Sequence, residues 1–298
     1  LLVCVGSIAF DSVETPEGRA DEVLGGSATF FGLSAALFGP VGLVGVVGED
    51  MPEETLELLR SRGVDTAGVE RTAGRTFRWA GRYVDDMNTR ETTNLELNVL
   101  ADFDPKLPEA YRACDTCFLA NTSPAIQHKV MDQLDSPKLV LSDTMNHYIE
   151  SEYDELIRLL GRVDGVIIND EEAMMLAGRK NLVAAARAVA ALGPRIVVLK
   201  KGAHGCLVCV DGAIYPLPAF PLEEVADPTG AGDCFAGGFM GYVAATGDAS
   251  PAGLRRAALY GTVVASFNCE SFSIERLRSL SREELDARCE TFAELLRL

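Results

Sequence analysis

The sequence predicts an α/β protein: a mostly parallel sheet with helices on both faces, carrying a small β appendage. Two patterns lead there. From Cys117 onward, short apolar runs alternate with helical stretches, and alternating β and α units build a parallel sheet covered by helices. Earlier in the chain, residues 76–84 ("TFRWAGRYV") and 92–99 ("TTNLELNV") alternate in character around the polar "DDMNTRE". That is a hairpin of half-exposed antiparallel strands.

The elements follow in order. Residues 1–8, "LLVCVGSI", are a short apolar run and read as a central strand. "SATFFGLSAALF" (27–38) reads as a buried helix, and "VGLVGVV" (41–47) as a strand covered on both faces. The uncharged stretch 23–48 has the length of a membrane span, but Gly39-Pro40 interrupts it, so two buried elements are expected instead. "MPEETLELLRSRG" (51–63) is a helix with Pro near its first turn, acids early, and Arg and Gly at its end. Strands are then expected at 117–121, 138–142, 164–168, 195–200 and 206–210. Helices are expected at 124–134, 151–161, 170–177, 181–192, 233–246, 251–267 and 282–296. No repeat, low-complexity tract or linker divides the chain, so residues 1–298 read as one domain. The hairpin at 76–99, with residues 12–24, forms the appendage, and a small sheet on a doubly wound domain serves as a lid over a cleft.

Composition narrows the function. Of 298 residues, 48% are hydrophobic, enough for a sizeable core. The net charge of −17 repels phosphate backbones and anionic membranes, which argues against nucleic acid or a membrane surface as partner. No basic segment with an apolar run and cleavage site opens the chain, so a cytoplasmic location is expected, with its eight cysteines as thiols. Cys114/Cys117 and Cys206/Cys209 form C-x-x-C pairs. The pairs lie far apart, and Cys206 and Cys209 on one strand would face opposite sides of the sheet. They read as buried small hydrophobes rather than a zinc site.

Residues 226–239 read "ADPTGAGDCFAGGF". Gly230, Ala231 and Gly232 precede the acid Asp233 at the start of an apolar helix. Small residues let backbone N–H groups close around an anion, and the helix dipole adds about half a positive charge there. A carboxylate beside such a pocket suits phosphoryl transfer, accepting the proton of an attacking hydroxyl. The same residues also suit a plain helix cap on a tight turn. No G-x-x-x-x-G-K-[ST] occurs, and no G-x-G-x-x-G follows the first strand, so neither a P-loop nor a dinucleotide fold is indicated. Asp143 and Asn146, in "SDTMN" after a strand, point at the same sheet edge and are further site candidates.

"DPTGAGDCFAGGF" resembles the C-terminal signature of the PfkB, or ribokinase-like, carbohydrate kinases. "GGSATFFGLSAALFGPVGLVGVVGED" (25–50) resembles their N-terminal glycine-rich region, "NDEE" (169–172) their N-x-x-E motif, and "KKGAHG" (200–205) their nucleotide-side G-x-x-G turn. Order and spacing fit along essentially the whole chain. The resemblance implies a ribokinase-like three-layer α/β/α fold and an ATP- and Mg2+-dependent kinase. It implies that Asp233 is the base and that Gly230, Ala231 and Gly232 form the anion hole. Asn169 and Glu172 would organise Mg2+ through water, which suits an ion that keeps its waters. The alternative for "NDEE" is an acidic first turn capped by Asn169, and both can hold together. Lys200, Gly202, Gly205, Thr229 and Asn169 would lie on the nucleotide side. Asp11, Gly25 and Gly26 would hold the sugar, since an ionised Asp accepts two hydroxyl hydrogen bonds and Gly-Gly lets backbone approach a ligand. Asp227 and Thr229 match positions near a monovalent-cation site, which raises K+ as a further cofactor.

One position departs from the sugar kinases. Ribokinases and fructokinases commonly carry Asn four residues after the second Gly, where this chain has Phe30, and "GGSAT" is similar to some nucleoside kinases of the family. Trp79, the single tryptophan, either stacks on a ligand ring or packs the lid with Phe77 and Tyr83, which share its strand parity. The expected reaction is phosphoryl transfer from ATP to a hydroxyl, the hydroxymethyl of a small sugar. A nucleoside is the alternative acceptor, and a non-catalytic ligand-binding protein is the alternative of another class. Apolar positions of the hairpin also suit pairing of two lids in a homodimer.

Overall fold

A computed structural model describes residues 1–84 and 87–297. In chain order the strands are β1 (Leu2–Val5), β2 (Ala9–Thr15), β3 (Gly18–Gly25), β4 (Val41–Val47), β5 (Val64–Arg71), β6 (Phe77–Val84), β7 (Thr89–Glu96), β8 (Thr116–Leu119), β9 (Leu139–Ser142), β10 (Gly165–Asn169), β11 (Ile196–Lys200), β12 (Cys206–Val210) and β13 (Ala213–Leu217). The helices are α1 (Ser27–Ala35), α2 (Glu53–Ser61), α3 (Glu109–Arg112), α4 (Pro124–Met131), α5 (Asn146–Ser151), α6 (Tyr153–Leu160), α7 (Asp170–Ala177), α8 (Leu182–Ala190), α9 (Ala231–Thr246), α10 (Pro251–Asn268) and α11 (Arg282–Leu295).

Among the described residues the main sheet has nine strands in the order β13-β12-β11-β10-β9-β8-β1-β4-β5. From β5 to β11 every neighbouring pair is parallel, while β12 and β13 add an antiparallel edge. The strands alternate between two cores. Cys4 faces the helices α1, α9, α10 and α11, whereas Val3 and Val5 face α4, α6, α7 and α8. Cys206 and Cys209 divide in the same way, one to each core. Helix α1 has no charged residue and no exposed face: all nine of its residues are buried, three small hydroxyl residues among them, with α9 packed against it. Phe31 stacks on Phe118 of β8 with ring centroids 4.7 Å apart. Burying each such ring contributes about 1.5–3 kcal/mol.

Strand β1 is the hinge of the topology. Its neighbours β4 and β8 lie on opposite sides, so the strand order reverses there and a crevice opens beyond the carboxyl ends. The second sheet, β3-β2-β6-β7, has four strands and meets that end, where Tyr83 of β6 contacts Thr229 and Asn88 before β7 contacts Ala203 after β11. It contains the expected hairpin, although Asp85 and Asp86 of its polar connection lie outside the described residues.

Three expectations shift. The apolar run 1–8 is not one strand: β1 stops at Val5, the Gly6 N–H donates to Val44 O (3.1 Å), and the chain re-enters β structure at Ala9 in the small sheet. Hydrophobicity alone does not report that hand-off. The small sheet therefore begins at Ala9 rather than at residue 12. Strands β5 and β13 escaped the sequence reading because both are sheet edges with exposed positions that dilute their apolar pattern. No helix among the described residues is long and apolar enough to cross a membrane, and the uncharged stretch 23–48 divides into α1 and β4 as its Gly-Pro break indicates.

Candidate active site

The carboxyl ends of the parallel strands deliver most of the expected residues to one crevice. Asp143 follows β9, Asn169 ends β10 and Lys200 ends β11. Helix α9 points its N-terminus into the same space. Its cap, Gly230, has φ +77°, and a Cβ there would lie 2.5 Å from the Phe30 ring. Both facts demand glycine at this turn. Phe30 is therefore a core residue that supports the turn from below, 2% exposed, and has no surface to offer a ligand.

The first N–H groups of a helix have no partner within it. Here the Ala231 N–H donates to Pro228 O (3.1 Å), so the pocket for an anion narrows to the donors that follow. Asp233 sits in the first turn of α9, half-buried, with protein on most sides. Burial pushes its carboxyl up to about 7. Lys200 pulls the other way, Asp143 adds to the rise, and Arg90 opposes it. A carboxyl poised there suits a general base working near neutrality.

Lys200 turns inward rather than toward the nucleotide-side turn. Its Nζ lies 3.2 Å from Asp143 Oδ2 and fills the space beside Gly232, 3.0 Å from where a Cβ would stand. Burial works against the ammonium, but Asp143 and Glu172 outweigh it and raise its pKa. Burial likewise raises Asp143, with Lys200 restraining the shift.

Asn169 and Glu172 form a reciprocal cap on α7. The Glu172 N–H donates to Asn169 Oδ1 (2.8 Å), and the Asn169 N–H donates to Glu172 Oε2 (2.7 Å). The structural reading of "NDEE" thus holds. Burial, then the neighbouring Asp143, pushes Glu172 up to about 8. Two crowded, buried carboxyls facing one lysine form a donor set that a cation would relieve. Nearby, Asn121 Oδ1, Thr144 Oγ1 and Asn146 Oδ1 are buried without a hydrogen-bond partner. Buried polar atoms are seldom left so, and these face the carboxyl ends of β8 and β9.

Asp11 enters from β2 of the small sheet, 6% exposed. Burial pushes it up to about 7, the Gly26 N–H it accepts lowers it, and Asp233 and Asp227 raise it again. A Cβ built on Gly25 would overlap Asp11 Oδ2, so Gly25 exists to make room for this carboxylate. Gly26 caps α1.

Asp227 and Thr229 shape the loop before α9. Asp227 is 1% exposed, and its carboxylate accepts the N–H groups of Thr229 (2.8 Å) and Ser273 (3.4 Å). Asn268 donates to Thr229 O (2.8 Å), while its own buried Oδ1 has no partner. Gly202 and Gly205 lie farther out, in the turn after β11, and the Ala203 N–H donates to Asn88 Oδ1 at the hairpin tip (3.4 Å).

Two further residues reach the site without any motif to mark them there, Tyr83 and Arg90. Tyr83 is 7% exposed, and its hydroxyl accepts from Thr229 Oγ1 (3.3 Å). Arg90 stands directly opposite it on β7. Only the shared parity of Phe77, Trp79 and Tyr83 hinted at this face. Trp79 pairs with Asp11 on one side and with Leu95 on the other. Its ring covers Gly81, and its Nε1 donates to Thr92 Oγ1 (3.3 Å). Residues directly opposite on adjacent strands share a face. Asp11, Trp79 and Leu95 therefore form one row.

The chain is similar to known proteins along most of its length. The profile of the pfkB family carbohydrate kinases matches residues 1–276. A cytidine kinase from Thermococcus kodakarensis is 34% identical over 250 residues, covering 81% of this chain and 88% of that protein. A ribokinase-II-type protein from E. coli, solved with ATP and Mg2+, superposes with a TM-score of 0.80 at 18% identity over 99% of each chain. The Burkholderia thailandensis nucleoside kinase in complex with inosine superposes with a TM-score of 0.79 at 18% identity over 98% of each chain. At these identities the superpositions establish the ribokinase-like fold.

Proposed function

We propose that this chain, which belongs to the pfkB family of carbohydrate kinases and is a phosphotransferase with an alcohol acceptor, takes a nucleoside as that acceptor. The carrying observation is the row on the small sheet. Asp11 supplies a carboxylate for hydroxyls, and Trp79 and the 53% exposed Leu95 continue the same face as an apolar wall. A molecule with a hydroxylated ring at one end and a flat, weakly polar ring at the other matches that row. Aromatic side chains favour such stacking. A free sugar would engage Asp11 and leave the wall facing water. The similarity to a cytidine kinase supports the same reading.

The reaction then runs as follows. Asp11 and the Gly25-Gly26 backbone hold the ribose hydroxyls. The small sheet acts as the lid and excludes water. Asp233 accepts the proton of the hydroxymethyl as its oxygen forms a bond to the γ-phosphorus of ATP. The bond from that phosphorus to the β–γ bridging oxygen breaks, and ADP leaves. Gly232 and the donors that follow Ala231 hold the phosphoryl oxygens with backbone N–H groups, and Lys200 adds charge beneath them. Glu172 and Asn169, with Asp143 nearby, would hold the waters of Mg2+, which supplies neutralisation of phosphate charge. Gly202 and Gly205 would border the nucleotide. Asp227 and the unpartnered Asn268 Oδ1 are the groups that would hold K+. The apolar positions of the hairpin would also let two lids pair in a homodimer.

Trp79 is the chain's only tryptophan, so its fluorescence reports the wall directly. Titration with cytidine or inosine is expected to quench or shift the emission saturably, and ribose at the same concentration is expected to leave it unchanged. An equal response to ribose, or none to any nucleoside, would contradict the nucleoside reading.

A further inference from the structure

We propose that Arg90 is a catalytic residue: carried by the small sheet, its guanidinium contacts the transferring phosphoryl group. The proposal rests on phosphoryl transfer at Asp233 but not on which acceptor is used.

Arg90 lies opposite Tyr83 in the β6–β7 ladder, and the Tyr83 hydroxyl touches Thr229, the residue before Gly230. Position 90 is thereby pinned above the loop that opens α9. The side chain does not extend away from this face. Its Cζ lies 5.4 Å from the centroid of Trp79, which itself pairs with Asp11. Two residues earlier, Asn88 accepts from the backbone of the turn at Gly202–His204. The end of the hairpin that carries Arg90 thus spans the crevice from the acceptor strand to the nucleotide-side turn.

Electrostatics locate the charge more closely. Arg90 favours the ionised forms of Asp11, Tyr83, Glu172 and Asp233 at once. Those groups come from β2, β6, α7 and α9. The space they share is the gap between the acceptor carboxylate and the anion loop, where the phosphoryl group must pass.

Charge balance gives the arginine its task. The crevice gathers Asp11, Asp143, Glu172 and Asp233, and Lys200 is already committed to Asp143 beneath Gly232. A phosphoryl group in flight spreads negative charge over its equatorial oxygens. Lys200 approaches from the floor, so a second cation from above completes the enclosure. An arginine fork suits those oxygens, since it donates two parallel hydrogen bonds. Its contact with Trp79 contributes about 0.5–1 kcal/mol at an exposed site, and with the hydrogen bond to the Tyr83 side chain it orients the guanidinium on this face.

The test uses Mg2+·ADP with aluminium fluoride, which mimics the planar phosphoryl group without turnover. Calorimetry on the full chain compares the parent with Arg90→Ala and Arg90→Lys. Arg90→Ala is expected to bind Mg2+·ADP within threefold of the parent and to lose about 10²-fold for the aluminium fluoride assembly. In turnover with cytidine, its kcat is expected to fall about 10²–10³-fold with KM values within about threefold. Added guanidinium chloride at millimolar levels should restore part of the loss, and Arg90→Lys should lie between. Unchanged aluminium fluoride affinity, or an equal loss for Mg2+·ADP alone, would overturn the proposal. Asp233→Asn measured alongside separates the two readings: if it loses turnover while Arg90→Ala keeps it, only the role of Arg90 fails.

Discussion

Asp233→Asn lowers kcat by about 10²–10⁴-fold and leaves Mg2+·ATP affinity within a few-fold. Asparagine keeps the shape and the place at the α9 N-terminus but cannot take a proton. Because burial holds this carboxyl and that of Asp11 both at about 7, kcat/KM of the parent should climb by at least about tenfold per pH unit below that value, more steeply where both protonate, and level off above it. Stability should move the other way. The carboxyl's folded pKa lies above its ordinary value of 3.8, so the folded state keeps a proton that the unfolded chain releases. Stability is lost as pH rises through that interval, and the loss is complete above about 7. Without ligands, Asp233→Asn should melt about 2–4 °C higher than the parent at pH 8, with the gap shrinking toward pH 5. Calorimetric melts and a pH–rate profile check both halves. Near-parental turnover in the variant would remove Asp233 from the chemistry.

Gly25→Ala raises the acceptor KM by about 10²-fold or more while Mg2+·ATP affinity stays near the parent value. The added methyl would occupy the place of Asp11 Oδ2. Asp11 must then rotate and give up its charged hydrogen bonds to the acceptor, each contributing about 1.5–3 kcal/mol. The nucleotide side is untouched, since Gly25 ends β3 and packs against β2. Paired titrations with acceptor and with nucleotide separate the effects. A loss shared equally by both ligands would mean that the mutation disturbs the fold rather than the acceptor subsite.

Much of the fold and the region of the site can be read from particular residues. The run from Gly230 to Asp233 announces its helix N-terminus, because small residues before an acid and an apolar helix have few other uses. The β–α alternation after Cys117 foretells the parallel sheet, since each period is long enough to be clear. What escapes has physical reasons. The passage of the chain from β1 into the small sheet occurs inside one apolar run, where hydrophobicity is blind to which sheet a strand joins. The inward turn of Lys200 depends on Asp143, which lies 57 residues away in sequence. Phe30 stands in a motif position, yet it supports Gly230 from the core instead of meeting a ligand. Arg90 and Leu95 carry no motif at all. They join the site through strand register, which brings Asp11, Trp79 and Leu95 into a row and sets Arg90 over the anion loop.

The acceptor class is tested most directly by steady-state turnover of the purified chain with ATP, Mg2+ and K+. Cytidine, inosine, adenosine, ribose and fructose are compared by ADP release. A nucleoside is expected to give a kcat/KM at least about 10²-fold above that of either sugar, the margin expected when a stacking wall contributes about 3 kcal/mol. Turnover of ribose or fructose equal to or above that of every nucleoside would contradict the nucleoside reading.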